Sequence, residues 1–334
     1  MIENQRRPLL SDWQLHTARS HQDEQLRSLF SQVFGHAVTK EEWEWKYREA
    51  DLRGSLLIKS STGETVAFFG GMPRSFSYRG KYFSGVQNGD VMVRMQERGV
   101  FSRKGALFQV AKDFFTQHIG RDKEYAFAFG FPNSRHFQLG IKLDLYAKAA
   151  QMQHLRWVGL PAPWHRCWSV RTLSCGVHSH ALDLLWQQML VSWPEYFLPV
   201  RTAKYWEWRY QQRPGVSYEL LLVSQRLTGR PLAAIALRLY PEHCDWVDYI
   251  GSREHLPHAI AAVRAFAFQH QRPVHALISD AVVHEFSSAQ PEGLSICPSE
   301  ILIPTNAIDA QGAVIADMPY IGRLWLMSGD SDFM

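Results

Sequence analysis

Cysteine is scarce in this sequence. There are four in 334 residues, Cys167, Cys175, Cys244 and Cys297, and none stands in a C-x-x-C pair. That argues against a disulfide framework. CGVHSH brings Cys175, His178 and His180 together, but no second ligand cluster follows at a suitable spacing. No metal is therefore expected, and the stretch reads as a polar turn before a helix. Runs of lysine and arginine are also lacking, and the net charge is only +4, which argues against a nucleic-acid partner. No stretch of 18 apolar residues is present, so no transmembrane helix is expected. The opening MIENQRRPLL has no hydrophobic signal core, and the expected location is cytoplasmic.

Apolar residues make up 46% of the chain and charged residues 20%, as in globular proteins with true cores. The length suits two ordinary domains or one large one. Aromatic residues reach 13%, with 12 tryptophans, which implies an aromatic core more readily than an apolar substrate groove.

EEWEWKY (41–47) returns as KYWEWRY (204–210), with Trp43 and Trp206 163 residues apart. Around each copy the periodicities run in parallel. In the first half a strand (DWQLHTAR) leads to a helix with Leu26, Leu29, Phe30, Val33 and Phe34 on one stripe, closed by Gly35. TKEEWEWKY follows as a short helix with a capping-box start. Hairpin strands come next over GSLLIKSS, TVAFFGGMP and RSFSYRGKYFSG, then NGDVMV, the amphipathic KGALFQVAKDFFTQH and the strand EYAFAFGF. SHALDLLWQQMLVSW, TAKYWEWRY, CDWVDYIG, HAIAAVRAFAFQH and PVHALISD repeat the plan in the second half. The pattern predicts an α+β fold with helices on both faces of a mixed sheet, and an internal duplication divided as 1–157 and 158–334.

The halves differ at one loop. After DVMV the first half carries Arg98, Gly99, Arg103, Lys104 and Gly105 ahead of a helix. Unpaired amides, the helix dipole and a glycine make such a place suited to a phosphate, although a solvated basic turn would read the same. The corresponding VDYIGSREHLPHAIAAV keeps a glycine, loses most cations and gains Glu254 and Pro257.

This order of elements, with this loop, resembles the GNAT superfamily of acyl-CoA-dependent N-acyltransferases, whose Q/R-x-x-G-x-G/A signature opens the helix after the fourth strand. Gln96-Glu97-Arg98-Gly99 matches its first part, while Phe101 replaces the final glycine or alanine. A second alignment starts at Arg98-Gly99 and shifts the loop toward Gly105, so loop 98–105 is assigned as a block: Arg98, Gly99, Val100, Phe101, Ser102, Arg103, Lys104 and Gly105. FGFPNSRHFQLGIKLDLY resembles the family's fifth strand and following helix, with Pro132 and Asn133 matching and Asp144 in place of the glycine of K-L-G. The resemblance covers the first 157 residues. The second half is similar only as a degenerate copy, giving two GNAT-like domains in tandem, of the kind linked to surface polysaccharide biosynthesis.

The resemblance implies a cytoplasmic N-acetyltransferase with acetyl-CoA, or another acyl-CoA, as cosubstrate. The pyrophosphate would lie on loop 98–105 and the pantetheine arm against the backbone of Val91, Met92 and Val93. Asn133 would bind coenzyme or cap a helix. The acceptor would be a small-molecule amine, an amino sugar among the candidates. Asp90 is the candidate base. The family's tyrosine acid would fall near Gly140, which leaves Tyr125, His136 and Tyr146 as candidate acids. Two other readings stay open: a Fem-type aminoacyl-tRNA-dependent peptidyltransferase, and a non-catalytic scaffold that binds acyl-CoA or a protein. The segment ending in Asp330 and Asp332 reads as a free acidic tail or as one docked between the halves.

Overall fold

A computed structural model describes residues 12–48, 50–98, 103–163, 167–309, 311–315 and 318–331. In the first half, β1 (Trp13–Arg19), α1 (Asp23–Phe34), α2 (Lys40–Tyr47), β2 (Leu52–Lys59), β3 (Thr65–Tyr78) and β4 (Lys81–Val93) precede α3 (Ala106–His118), β5 (Phe127–Gly130), α4 (Ser134–Lys142) and β6 (Tyr146–Trp157). The second half contains β7 (Trp168–Thr172), α5 (Ser179–Ser192), β8 (Leu198–Pro199), α6 (Ala203–Trp206), β9 (Glu219–Gln225), β10 (Pro231–Leu239) and β11 (Cys244–Gly251). It ends with α7 (Leu256–Gln269), β12 (Val274–Ser279), α8 (Val283–Ala289) and β13 (Leu294–Asn306).

Local chemistry accounts for most boundaries. Thr39 accepts from the Glu42 amide at 3.1 Å and starts α2. Gly35 ends α1 in the left-handed conformation, with φ of 77°. The expected breaks between Pro73 and Arg74 and between Gly85 and Asn88 do not occur; β3 and β4 form one long hairpin that turns at Arg79-Gly80, with Gly70 and Gly71 inside β3. Both glycines serve packing instead: a Cβ on Gly70 would meet the Tyr47 hydroxyl at 2.5 Å, and one on Gly71 the Phe114 ring at 2.5 Å.

All thirteen strands belong to one sheet, in the order β1-β2-β3-β4-β5-β13-β6-β12-β11-β10-β9-β7, with β8 attached to β3. β4–β5 and β11–β12 pair in parallel. The other strand pairs are antiparallel. Exchanging the halves turns this order into its own reverse. At the centre the final strands change sides: β6 pairs with β12, and β13 pairs with β5. β6 and β13 also pair with each other over most of their lengths. The sheet is thus continuous through residue 157.

Helices α2 and α6 meet across the same axis. The Trp45 indole donates to the Trp208 carbonyl at 2.9 Å, and the Trp208 indole donates to the Trp45 carbonyl at 3.0 Å. Their rings stack with centroids 5.2 Å apart. The matched tryptophan stretches therefore pack on one another. In the second copy the helix widens after Trp206 into a π-turn over Glu207–Gln211.

Trp45→Phe or Trp208→Phe would keep an aromatic ring but leave a buried carbonyl unpaired. Each is expected to cost about 1–3 kcal/mol in denaturant titration. The double variant should lose less than the sum, because the two bonds share one contact.

Candidate active site

The ladder between β4 and β5 ends at Asn88↔Gly130, whereas β4 continues to Val93. The two strands diverge there and open a cavity of about 460 Å³. Gly89, Asp90 and Val91 form one wall. Phe129, Phe131, Pro132 and Asn133 come from β5 and the start of α4, and Phe30 and Phe34 from α1. Pro304, Thr305 and Asn306 of β13 and Arg213 also line it, so both halves build the cavity.

Asp90 lies at a bulge. Against β3, the register passes from Gly70↔Gly89 to Phe68↔Met92, so two residues of β4 face one of β3. Asp90 takes up the irregularity with φ of 50°, a conformation that aspartate tolerates better than most side chains. Its carboxylate is buried. Oδ1 is 2.5 Å from Lys46 Nζ, and Oδ2 accepts from the Tyr47 hydroxyl at 3.0 Å. Lys46 and Tyr47 belong to the first tryptophan stretch, which therefore supports the cavity wall as well as the contact between halves. The base expected at Asp90 is thus not a free carboxylate, because a cation and a phenol already engage its two oxygens.

The candidate acids separate by position. Tyr125 does not line the cavity. It is buried in the core beneath α3, and burial followed by the nearby Glu124 pushes its phenol up to about 12. The structure corrects its place among the candidates. His136 and Tyr146 both line the cavity, with His136 Nε2 3.0 Å from the Tyr146 hydroxyl. Burial lowers His136 to about 4 and raises Tyr146 above the usual phenol range. The histidine is therefore neutral and the tyrosine protonated at neutral pH. Gly140 explains the pair: a Cβ there would lie 1.9 Å from Tyr146 Cδ2. The Tyr146 ring, at the start of β6, covers the glycine.

Asn133 is the N-cap of α4, its Oδ1 accepting from the His136 amide at 2.9 Å. Among the loop residues, Gly99, Val100, Phe101 and Ser102 lie outside the described residues. Arg98 turns back to the Val93 carbonyl at 2.8 Å, and Arg103 pairs with Asp144 at 2.5 Å with both side chains exposed. Asp144 has φ of 58°, which is the physical reason for a glycine at this position in the pattern it resembles. Gly105 opens α3 without any side-chain cap. Val91 is half-buried and lines the cavity, Val93 is half-buried but outside its lining, and Met92 points into the core with α1 and α2.

The second half has a matching divergence of β11 from β12, but residues of this chain fill it. Ser279 takes up the Leu326 carbonyl at 2.9 Å and the Leu324 carbonyl at 2.6 Å. Arg209, the counterpart of Lys46, donates to the carbonyls of Gly329 and Ser331 at 2.7 Å each. Arg201 joins Asp248 at 2.7 Å and Asp330 at 2.8 Å, all three fully buried. Burial raises the Asp330 carboxyl, and the Arg201 charge opposes that shift. The segment 324–331 is docked and not free, but its polar partners are Arg201, Arg209 and Ser279 at the second half's own cleft, not a cleft between the halves as expected. Asp332 lies outside the described residues.

Several site residues left no mark in the sequence. Thr305 and Asn306 reach the cavity through the strand exchange, and Arg213, 5.0 Å from the Trp45 ring, reaches it beside the contact of the two tryptophan stretches. Lys46 lay inside a stretch read as packing, and it carries the one signal that was available: a lysine at the position where the second copy has arginine.

No protein-family model matches the chain, and no curated protein matches it by sequence. Solved structures do. A conserved protein of unknown function from Enterococcus faecalis V583, described as a probable N-acyltransferase, is 12% identical with a TM-score of 0.67, over 88% of this chain and 71% of that one. A GCN5-related N-acetyltransferase from Anabaena variabilis is 13% identical with a TM-score of 0.64, over 88% and 72%. Saccharomyces cerevisiae N-myristoyltransferase with bound myristoyl-CoA is 13% identical with a TM-score of 0.55, over 96% and 90%. The chain therefore has the mixed α+β fold of GNAT-like acyltransferases. Among the described residues no helix is long and apolar enough to cross a membrane.

Two measurements check this site. As pH falls from about 6.5 toward about 4, the unfolded chain takes up a proton at residue 136 that the folded chain refuses. Stability should therefore decline across that window, and His136→Gln should flatten the decline. Gly140→Ala is expected to displace the Tyr146 ring and cost about 1–3 kcal/mol, read as a lowered denaturation midpoint. Gly140→Ala combined with Tyr146→Ala should regain part of that loss.

Proposed function

We propose that the chain is an acyl-CoA-dependent N-acyltransferase whose site is the cavity between β4 and β5. The observation that carries this reading is the divergence at Asn88↔Gly130, which leaves Gly89, Asp90 and Val91 of β4 lining a cavity instead of pairing with β5. An extended pantetheine arm fits such an edge, because its amides replace those of a missing strand. The uncapped start of α3, with Arg98, Arg103 and Lys104 before it, suits the coenzyme pyrophosphate. Solved structures of the same fold include an enzyme with bound myristoyl-CoA, which supports an acyl-CoA cosubstrate.

In the proposed reaction a neutral amine attacks the thioester carbonyl, whose developing charge meets a main-chain amide near the bulge at Asp90. The C–N bond forms, the C–S bond breaks, and the thiolate takes a proton from the Tyr146 hydroxyl. His136 orients that phenol, and the proton lost by the amine returns through water to the Tyr146 oxygen, which restores the site. Asp90 serves with Lys46 and Tyr47 as one charged network that fixes the bulge. Acetyl is the acyl group proposed, and the acceptor is a small amine. Within that class we favour an amino sugar, because Phe30, Phe34 and Phe131 offer ring faces at the cavity. The matching strand order supports a duplicated unit, 1–157 and 158–334, in which the second copy has become structural.

Acetyl-CoA at a hundred times its Kd should stabilise the protein by about 2.7 kcal/mol, and Arg98→Ala should reduce that gain. Thiol release with a panel of amino sugars, polyamines and peptides should be lost on Tyr146→Phe while coenzyme binding persists. Coenzyme binding without thiol release from any amine would leave a binding protein instead.

A further inference from the structure

Away from this cavity, in the second half, three side chains converge at the start of β11 and β12. His275 Nδ1 is 2.8 Å from Asp245 Oδ1, and His243 Nε2 is 3.4 Å from the same oxygen. The three ligand atoms lie within 4.8 Å of one another. We propose that His243, Asp245 and His275 bind a divalent transition metal ion, with Zn²⁺ the best fit.

The spacing suits the ion. Bonds of about 2.0–2.2 Å in a tetrahedron put neighbouring ligand atoms roughly 3.3 Å apart. The His243–Asp245 contact already has that length, and the His275–Asp245 contact needs to open by only about half an ångström. The outer partner is also present. His275 Nε2 is 2.8 Å from His154 Nδ1 on β6. A proton on Nε2 directed at His154 leaves Nδ1 bare toward the metal, the arrangement that orients histidine ligands elsewhere. Asp245 is buried, whereas the His243 side chain is 32% exposed, so the ion has a way in and water a place in the fourth position.

The surroundings select the class of metal. Arg238 stands opposite Asp245 across β10–β11, and Arg156 opposite His275 across β6–β12. Arg238 lies over the Tyr240 ring at 4.7 Å, and that ring stacks on His243. One carboxylate beside two arginines offers little to Mg²⁺ or Ca²⁺, which need several oxygen ligands. Two imidazoles favour borderline ions that bind neutral nitrogen. The other histidine–cysteine stretch does not compete, because Cys175 is buried and His178 Nδ1 is bonded to Ser174. By bridging the β10–β11 turn to β12, the metal would tie the second half to the exchanged strand β6 through His154.

The full-length chain, stripped with a chelator, should be titrated with Co²⁺ and followed by its visible d–d absorption, then with Zn²⁺ in competition. One equivalent of Co²⁺ should saturate a tetrahedral spectrum, Zn²⁺ should displace it, and millimolar Mg²⁺ should not. His243→Ala and His275→Ala should abolish the spectrum. His154→Gln should weaken binding by about 10–100-fold, and His178→Ala should change nothing. Circular dichroism of each variant distinguishes a lost site from a lost fold, and the exposed His243 makes its variant the decisive one. A titration that fails to saturate at one equivalent, or one that His243→Ala leaves intact in a folded protein, overturns the proposal.

Discussion

The exchange of β6 and β13 is the constraint on which the rest of the molecule depends. Each half ends by giving its last strand to the other, so neither half completes its own sheet. The candidate site inherits this dependence. Asn306 Oδ1 accepts from the Ala128 amide at 2.9 Å, and Thr305 donates to the Ala128 carbonyl at 2.8 Å. These bonds hold β5 from its other side just before the point where it leaves β4. The width of the cleft is therefore set by a strand from the opposite end of the sequence.

The two clefts also show how one plan yields two outcomes. In both, a helix bearing the tryptophan stretch delivers a cation and a tyrosine to an aspartate on the fourth strand: Lys46 and Tyr47 to Asp90, Arg209 and Tyr210 toward Asp248 and the inserted segment. Lysine is a compact charge and closes on a single carboxylate, which leaves the space beyond it open. Arginine spreads several donors in one plane and can hold peptide carbonyls, as Arg209 does with Gly329 and Ser331. Where the first cleft keeps room for a ligand, the second satisfies the same polar groups with backbone from the chain itself.

Much of this was legible in the sequence, and the exceptions share a cause. Periodicity located β1, α1, α2, α3, α7 and both parallel-pairing strands, because each of those patterns arises within its own element. The offset of the two tryptophan stretches set the halves in register. Strand exchange left no local trace, so the contribution of β13 was invisible, and so was that of Arg213, which the packing of the two tryptophan stretches brings to the cavity. Tyr146 was visible only as one phenol among several. Its role emerges from Gly140, whose missing side chain makes room for a ring from another strand. Tyr125 looked equivalent in sequence, but it packs in the core beneath α3 and does not line the cavity. His243, Asp245 and His275 were passed over for a related reason: two lie near one turn and the third is 30 residues away, brought to them by strand pairing.

The strand exchange also has a consequence in time. A chain made from its N-terminus presents β5 long before its partner exists, since Ala128 and Asn306 are separated by 178 residues. Until β13 emerges, β5 is an unpaired apolar edge, a template for wrong partners. The parallel contacts and this long closure both slow folding. The half that carries the candidate site precedes β13 in the chain, yet it can be finished only after β13 has been made.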